Sequence, residues 1–214
     1  MAETSSLLLG GVYLTKWDDR PFRVLAFDEF EVFYDCYWPS IDKWTFGNLR
    51  SKGYYYRMTT LRFLEDVKFI REQPLTVQEL QTFRPELPFR VCRNKFLAWT
   101  DQQFSDTKVY SDFINLKGTN VSNEIVLPVH EIVLHPYGPK SGAVKPSVIF
   151  SKKEEGFSCL ELLWNAHNLQ SGHIREKQAD GVGIYRLGHE KKMPAYYIGG
   201  YYDKGGSLHG DELT

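Results

Sequence analysis

Between Arg50 and Arg71, six basic side chains (Arg50, Lys52, Arg57, Arg62, Lys68 and Arg71) stand against two acidic ones, Glu65 and Asp66, with Tyr54, Tyr55 and Tyr56 interleaved. Cations that meet phosphates, set beside rings that stack on bases, are what a single strand of DNA or RNA requires of a binding surface. Arg50, Lys52, Tyr54, Tyr56, Arg57 and Arg62 are therefore the candidate nucleic-acid contacts. The same segment also reads as a half-buried strand followed by a helix with a charged outer face. Upstream, Asp18 to Asp42 carries seven acidic residues against Arg20 and Arg23, an asymmetry that can pair two neighbouring faces.

Other combinations carry less chemistry. His130 and His135 are five residues apart rather than the four of a zinc helix, so on a helix they would diverge by about 140° and on a strand they would face opposite sides. Asp66-Val67-Lys68, with Asp35 or Asp42 as an upstream carboxylate, composes a set that would hold Mg²⁺ and activate water, but about two such spacings arise by chance in a chain of this composition. His167, His173, His189 and His209 fall late in the chain beside Glu176, Asp180 and Glu190 and read as solvated turn residues. Gly199-Gly200 and Gly205-Gly206 lack the Gly-Lys-Ser/Thr that would make them a phosphate loop.

One pair of triplets is more specific. Gly183-Ile184-Tyr185 and Tyr197-Ile198-Gly199 are separated by eleven residues and lie on two strand-like arms around His189-Glu190-Lys191-Lys192. In letters and layout this stretch resembles the GIY-YIG nucleases. The resemblance covers roughly a tenth of the chain, and it implies phosphodiester hydrolysis with one divalent ion, Mg²⁺, in which Tyr185 and Tyr197 position or deprotonate a water. The family also uses an arginine and a metal-binding glutamate downstream of the second triplet. Gly200 to Thr214 contains no arginine and one glutamate, so the candidate catalytic residues are Tyr185, Tyr197 and Glu212. The other reading of the stretch is a structural hairpin rich in Gly and Tyr.

The elements that must position these residues read mainly as strands. Val12 to Trp17, Phe22 to Phe27 and Glu31 to Trp38 form a meander, and the third alternates rings on both faces, so both faces need cover. A Gly-led strand, a Trp followed by acidic turn residues and an x-Phe-Arg-Val strand over Gly10 to Trp44 resemble Tudor and related SH3-like small barrels. Capping boxes at Thr76 to Glu79 and Ser158 to Glu161 start two helices, the first stopping before Pro85 and the second ending near Gly172. The second carries Leu160, Leu163, Trp164 and His167 on one stripe. Phe89 to Trp99, Lys108 to Phe113 and Glu124 to Leu134 read as further strands. The pairs Tyr13 to Trp17 with Phe96 to Trp99, and Val24-Leu25 with Val126-Leu127, hint at an internal repeat, but their spacings disagree.

Composition bounds the rest. With 214 residues and 42% hydrophobic content the chain can bury a true core, and 15% aromatic content favours strands over a helical bundle. A net charge of −1 excludes bulk polyelectrolyte attraction as the driver of binding. Cys36, Cys92 and Cys159 form no C-x-x-C pair, which fits a reduced, cytoplasmic setting. The first residues lack a basic region before their short apolar run, no run is long enough to span a membrane, and the ending His209 to Thr214 reads as a polar tail.

These observations define a mainly β, α+β fold of antiparallel strands with an SH3/Tudor-like N-terminal part and two or three short helices packed on the sheet. It reads as one β-rich domain over residues 1–214, with a division into a small-barrel-like part, 1–75, and a mixed part, 76–214, left open. Three functions remain: a nucleic-acid-associated protein that binds and cleaves DNA or RNA with Mg²⁺; a non-catalytic module presenting Trp17, Phe33, Tyr37 and Trp44 to a cationic peptide of a protein partner; and a small-molecule enzyme with no linear motif. No membrane partner is expected.

Overall fold

Alternating apolar residues make Gly11–Thr15 (β1), Phe22–Phe27 (β2) and Glu31–Trp38 (β3) an antiparallel meander in which Val12 pairs with Arg23 and Val24 with Tyr34. The computed structural model describes residues 7–45, 55–94, 97, 100–136, 145–171 and 181–199. They fall into two units, Met1–Glu86 with Gly188–Lys192, and Leu87–Leu187 with Met193–Thr214.

In the first unit Lys43–Thr45 (β4) and Tyr56–Thr59 (β5) both pair with β3, β4 through Tyr37 and Trp44, β5 through Tyr34 and Tyr56. A helix, Thr60–Asp66 (α1), starts where the Thr59 side chain accepts from the Arg62 amide, and Val67–Glu72 (β6) then returns to pair with β1, Val67 opposite Thr15. The stretch around residues 61 to 70 is thus half helix and half strand. On one face of the sheet Tyr13 meets Phe63 edge-on at 5.4 Å and Phe22 stacks on Tyr34 at 4.9 Å. On the other, Phe33 meets Tyr55 at 5.5 Å and Tyr55 meets Phe83 at 5.9 Å; Phe83 ends Val77–Phe83 (α2), the helix opened by the Thr76–Glu79 capping box. β3 is covered on both faces, as its alternating rings require. Among the described residues the sheet does not close into a barrel.

The second unit contains Arg90–Asn94 (β7), Thr107–Leu116 (α3), Ile125–Leu127 (β8), Glu131–His135 (β9), Ser147–Phe150 (β10), Phe157–Ser158 (β11), Cys159–Gln170 (α4), Val182–Glu190 (β12) as far as Leu187, and Met193–Gly199 (β13). Its main sheet runs β10-β9-β13-β12-β7, while β11 and β8 pair separately. α4 buries Leu160, Leu162, Leu163 and Ala166 in the same core as Ile132, Leu134, Ile184 and Ile198. One pairing departs from the antiparallel expectation: β13 runs parallel to β9.

The structure corrects several expectations. Lys108 to Phe113 is helical, because Asp106 caps it by accepting from the Lys108 and Val109 amides at 2.9 Å and because Tyr110 and Ile114, four apart, are the residues it buries. Glu124 to Leu134 is two strands, broken at Pro128, which has no amide to give to a ladder. Phe89 to Trp99 is strand only from Arg90 to Asn94; residues 95, 96, 98 and 99 lie outside the described set. Among the described residues there are four helices rather than two or three. No helix among the described residues is long and apolar enough to cross a membrane.

Candidate functional site

The hairpin strands β12 and β13 sit between β9 and β7, so their outward residues gain neighbours on both sides. Tyr185 is paired in register with Arg90 of β7, and Tyr197 with His135 of β9. The rings of Tyr185 and Tyr197 lie 5.4 Å apart. Residues directly paired across strands share a face, with Cβ atoms about 4.5–5.5 Å apart. Arg90, Tyr185, Tyr197 and His135 therefore form one row across four strands. The opposite face carries Val91, Ile184, Ile198 and Leu134, all in the core.

The two glycines of the triplets explain how the row is built. A Cβ on Gly183 would collide with the Tyr185 phenol, and one on Gly199 would lie 2.9 Å from Tyr185 Cε2. Both glycines thus form a bed for the Tyr185 ring, which is 6% exposed, while Ile184 and Ile198 are fully buried on the other side. This gives the repeated Gly-Ile-Tyr pattern a packing reason alongside any chemical one.

A guanidinium, two phenols and an imidazole in a row can hold a phosphate ester and exchange protons with it: the guanidinium bidentately, the imidazole as an acid or base near neutral pH. The triplets bring the rings of Tyr185 and Tyr197 together. Glu212 lies outside the described residues. Arg90 and His135 were not legible as site residues, since only strand register assembles them. His135 was visible solely as half of the His130 pair, and that pair spans a strand whose first partner, His130, is exposed.

The basic-aromatic segment is distributed otherwise. Arg50, Lys52 and Tyr54 lie outside the described residues. Tyr56 is half-buried, its ring stacked on Tyr34 at 5.7 Å, and its strand neighbour Arg57 points to the opposite face of the sheet. Arg62 is exposed on α1, with its guanidinium 5.7 Å from the ring centre of Trp17, which is 45% exposed. Val67, facing Thr15, brings Lys68 and Arg71 along the neighbouring strand, both exposed and without an ion pair among the described residues.

Other candidates resolve into structural roles. Asp35 is 1% exposed and held by Arg23, so it is not available to complete a metal set with Asp66, which takes Lys16 at 3.4 Å. Asp42 accepts from the Tyr37 hydroxyl. Phe33, expected on an exposed aromatic surface, is 1% exposed because it faces Tyr55. His167, expected in a solvated turn, is fully buried among Phe104, Tyr110 and Phe113, its Nε2 3.1 Å from the Gln102 carbonyl oxygen, and burial lowers its pKa. His189 Nδ1 lies 3.2 Å from the Tyr55 hydroxyl. No group of three or more His, Cys, Asp or Glu side chains arranged to hold a metal occurs among the described residues. No known protein family, curated protein or solved structure matches the chain.

Proposed function

We propose that the protein binds nucleic acid and cleaves its phosphodiester bonds at the row formed by Arg90, Tyr185, Tyr197 and His135. The observation that carries this reading is the row itself: a phosphate-binding cation, two phenols and an imidazole on adjacent strands. In it Arg90 meets the phosphate, a tyrosine orients the attacking water, and His135 exchanges a proton with the leaving or entering oxygen. The row contains no carboxylate among the described residues, and phenols and imidazole are poor ligands for a hard ion such as Mg²⁺. No step is therefore routed through the metal that the nuclease resemblance implies.

Two features of the first unit support nucleic acid as the ligand. The exposed Trp17 with Arg62 over its ring is a platform on which an unpaired base can stack, and Lys68 and Arg71 supply phosphate contacts. The strand order β6-β1-β2-β3, with β5 on the far side of β3 and a short helix before β6, resembles that of SH3-like small barrels, a common scaffold for binding modules.

The test is incubation with labelled single- and double-stranded DNA and RNA, with Mg²⁺ or with chelator, on native and denaturing gels. Cleavage is expected from the wild-type chain, and Tyr185→Phe should lose it while retaining a native-gel shift. A Tyr185→Phe variant that cuts at the wild-type rate removes the row from the chemistry. A shift without cutting by the wild-type chain leaves a binding protein only.

A second reading is favoured by the same small-barrel strand order: a non-catalytic module for a protein partner. Against a cationic ligand stand the chain's own guanidinium groups, since Arg20 lies over Trp38 at 4.4 Å and Arg23 over Trp44 at 4.9 Å. Binding of a cationic peptide by the full chain, with no shift of any nucleic acid, would favour this module.

A further inference from the structure

Cys92 and Cys159 are 67 residues apart in the chain, yet their side chains meet in the second unit. The Cys92 thiol donates to the Cys159 carbonyl oxygen at 3.6 Å, and each of the two cysteines shifts the other's pKa. Both are free thiols.

The backbone reaches unusual lengths to place Cys92 there. Ile184 pairs with Val91 and Val182 with Asn94, so Cys92 and Arg93 together oppose Gly183 alone, a bulge in β7. Cys92 takes φ +50° at that bulge, a left-handed conformation that costs a residue with a Cβ about 1–2 kcal/mol and that glycine would adopt freely. Bulges re-aim side chains, and this one turns the thiol toward α4. Cys159 occupies the first turn of that twelve-residue helix, directly after its Ser158 cap, where the helix dipole favours a thiolate. The hydroxyl of Tyr110, a fully buried residue whose pKa is raised by burial and further by the two cysteines, finds no hydrogen-bond partner among the described residues.

We infer that Cys92 and Cys159 form a redox-active dithiol that hydroperoxides convert to an intramolecular disulfide, Cys159 as the attacking sulfur and Cys92 as the resolving one. Cys159 is partly buried and so the more reachable of the two, whereas Cys92 is buried, 8% exposed. The hydrogen bond from Cys92 lowers the Cys159 pKa, while burial raises that of Cys92 well above its usual value. The order of events follows from that division. The Cys159 thiolate attacks one peroxide oxygen, the O–O bond breaks, and the departing alkoxide or hydroxide takes a proton from solvent. This leaves Cys159 as a sulfenic acid, oxidised by two electrons while the peroxide is reduced to alcohol or water. Cys92 sulfur then attacks Cys159 sulfur, the S–O bond breaks, and hydroxide leaves with the Cys92 proton as water. A small dithiol reverses the reaction by exchange.

Cys36 provides an internal control. It is 2% exposed, and burial pushes its thiol up to about 12, so it should resist oxidation in the folded chain. The experiment treats the full-length native protein with hydrogen peroxide and follows thiol content and peptide mass. The expected result is loss of two thiols with a Cys92–Cys159 cross-linked peptide, restored by dithiothreitol, at a rate at least tenfold above that of Cys36. In Cys92→Ser the disulfide should be lost and a sulfenic acid at Cys159 should be trapped by dimedone instead. Equal oxidation of all three cysteines in the folded protein, or oxidation of none at a peroxide excess that oxidises the urea-unfolded chain, overturns the inference. So does a wild-type cross-link that includes Cys36.

Discussion

Arg23 donates to both oxygens of the Asp35 carboxylate, from Nε at 3.3 Å and from Nη2 at 2.7 Å, with the two residues 3% and 1% exposed. Nη2 also reaches Glu79 of α2 at 2.8 Å, so the sheet and its covering helix share one buried cation. Taking two charges out of water is costly, and such a pair adds little net stability, yet removing one partner strands the other. Asp35→Ala is therefore expected to destabilise the protein by about 3–5 kcal/mol, read from the urea midpoint at constant slope. Asp35→Leu combined with Arg23→Met should recover most of that loss. A double variant as unstable as Asp35→Ala would show that the pair contributes more than mutual neutralisation.

The bed under Tyr185 gives a second expectation. Gly183→Ala introduces a methyl into the phenol ring and should cost about 1–3 kcal/mol as overpacking. Truncating the ring removes the clash, so Gly183→Ala added to Tyr185→Ala should be nearly neutral. The measurement is a double-mutant cycle by chemical denaturation. Additive costs would mean that Gly183 is required for something other than the ring above it.

These two sites differ in how visible they were. Meander strands, helix caps and the paired triplets are local patterns, and the structure places them where their residues predict, except that of the two capping boxes only Thr76–Glu79 closes: Ser158 caps its helix, but the Glu161 carboxylate accepts from the Lys152 amide instead of the Ser158 amide. The Arg23–Asp35–Glu79 network was hidden, because alternation tells which face Asp35 takes but not that a helix 44 residues later brings Glu79 to it. Arg90 and His135 were hidden for the same reason: register across β7, β12, β13 and β9 is a property of pairing. Lys108 to Phe113 was misread because the Asp106 cap and four-residue period outweigh the β-prone Val109, Tyr110 and Phe113.

His167 gives a pH dependence. Burial holds its ring below the ordinary histidine pKa, so the folded state keeps it neutral while the unfolded chain takes up a proton near pH 6.5. A base with a depressed folded pKa contributes stability that is present above the unfolded pKa and lost as pH falls below it. The unfolding free energy should therefore drop as the pH falls below about 6.5. His167→Phe, less stable at pH 7 because the Gln102 carbonyl loses a partner, should show a flatter profile over the same interval. A profile as steep as that of the wild type would assign the acid sensitivity to another group.

The turn joining β12 to β13 should be improvable. Lys191 and Lys192 have φ +51° and +70°, positive at both positions as in a type I′ turn, which the right-handed twist of a tight hairpin favours. Asn-Gly suits that geometry, while lysine pays for the left-handed region with about 1–2 kcal/mol per residue. Both lysines are exposed, so replacing them removes no buried contact. Lys191→Asn with Lys192→Gly is expected to raise stability by about 1 kcal/mol, a Tm increase of roughly 2–4 °C for a chain of this size. Part of the gain is offset because glycine also frees the unfolded chain, so Lys191→Asn alone should retain a smaller increase. Calorimetry of the two variants separates these contributions. A fall in Tm for the double variant would mean that the hairpin's twist does not set the turn and that the lysine side chains do.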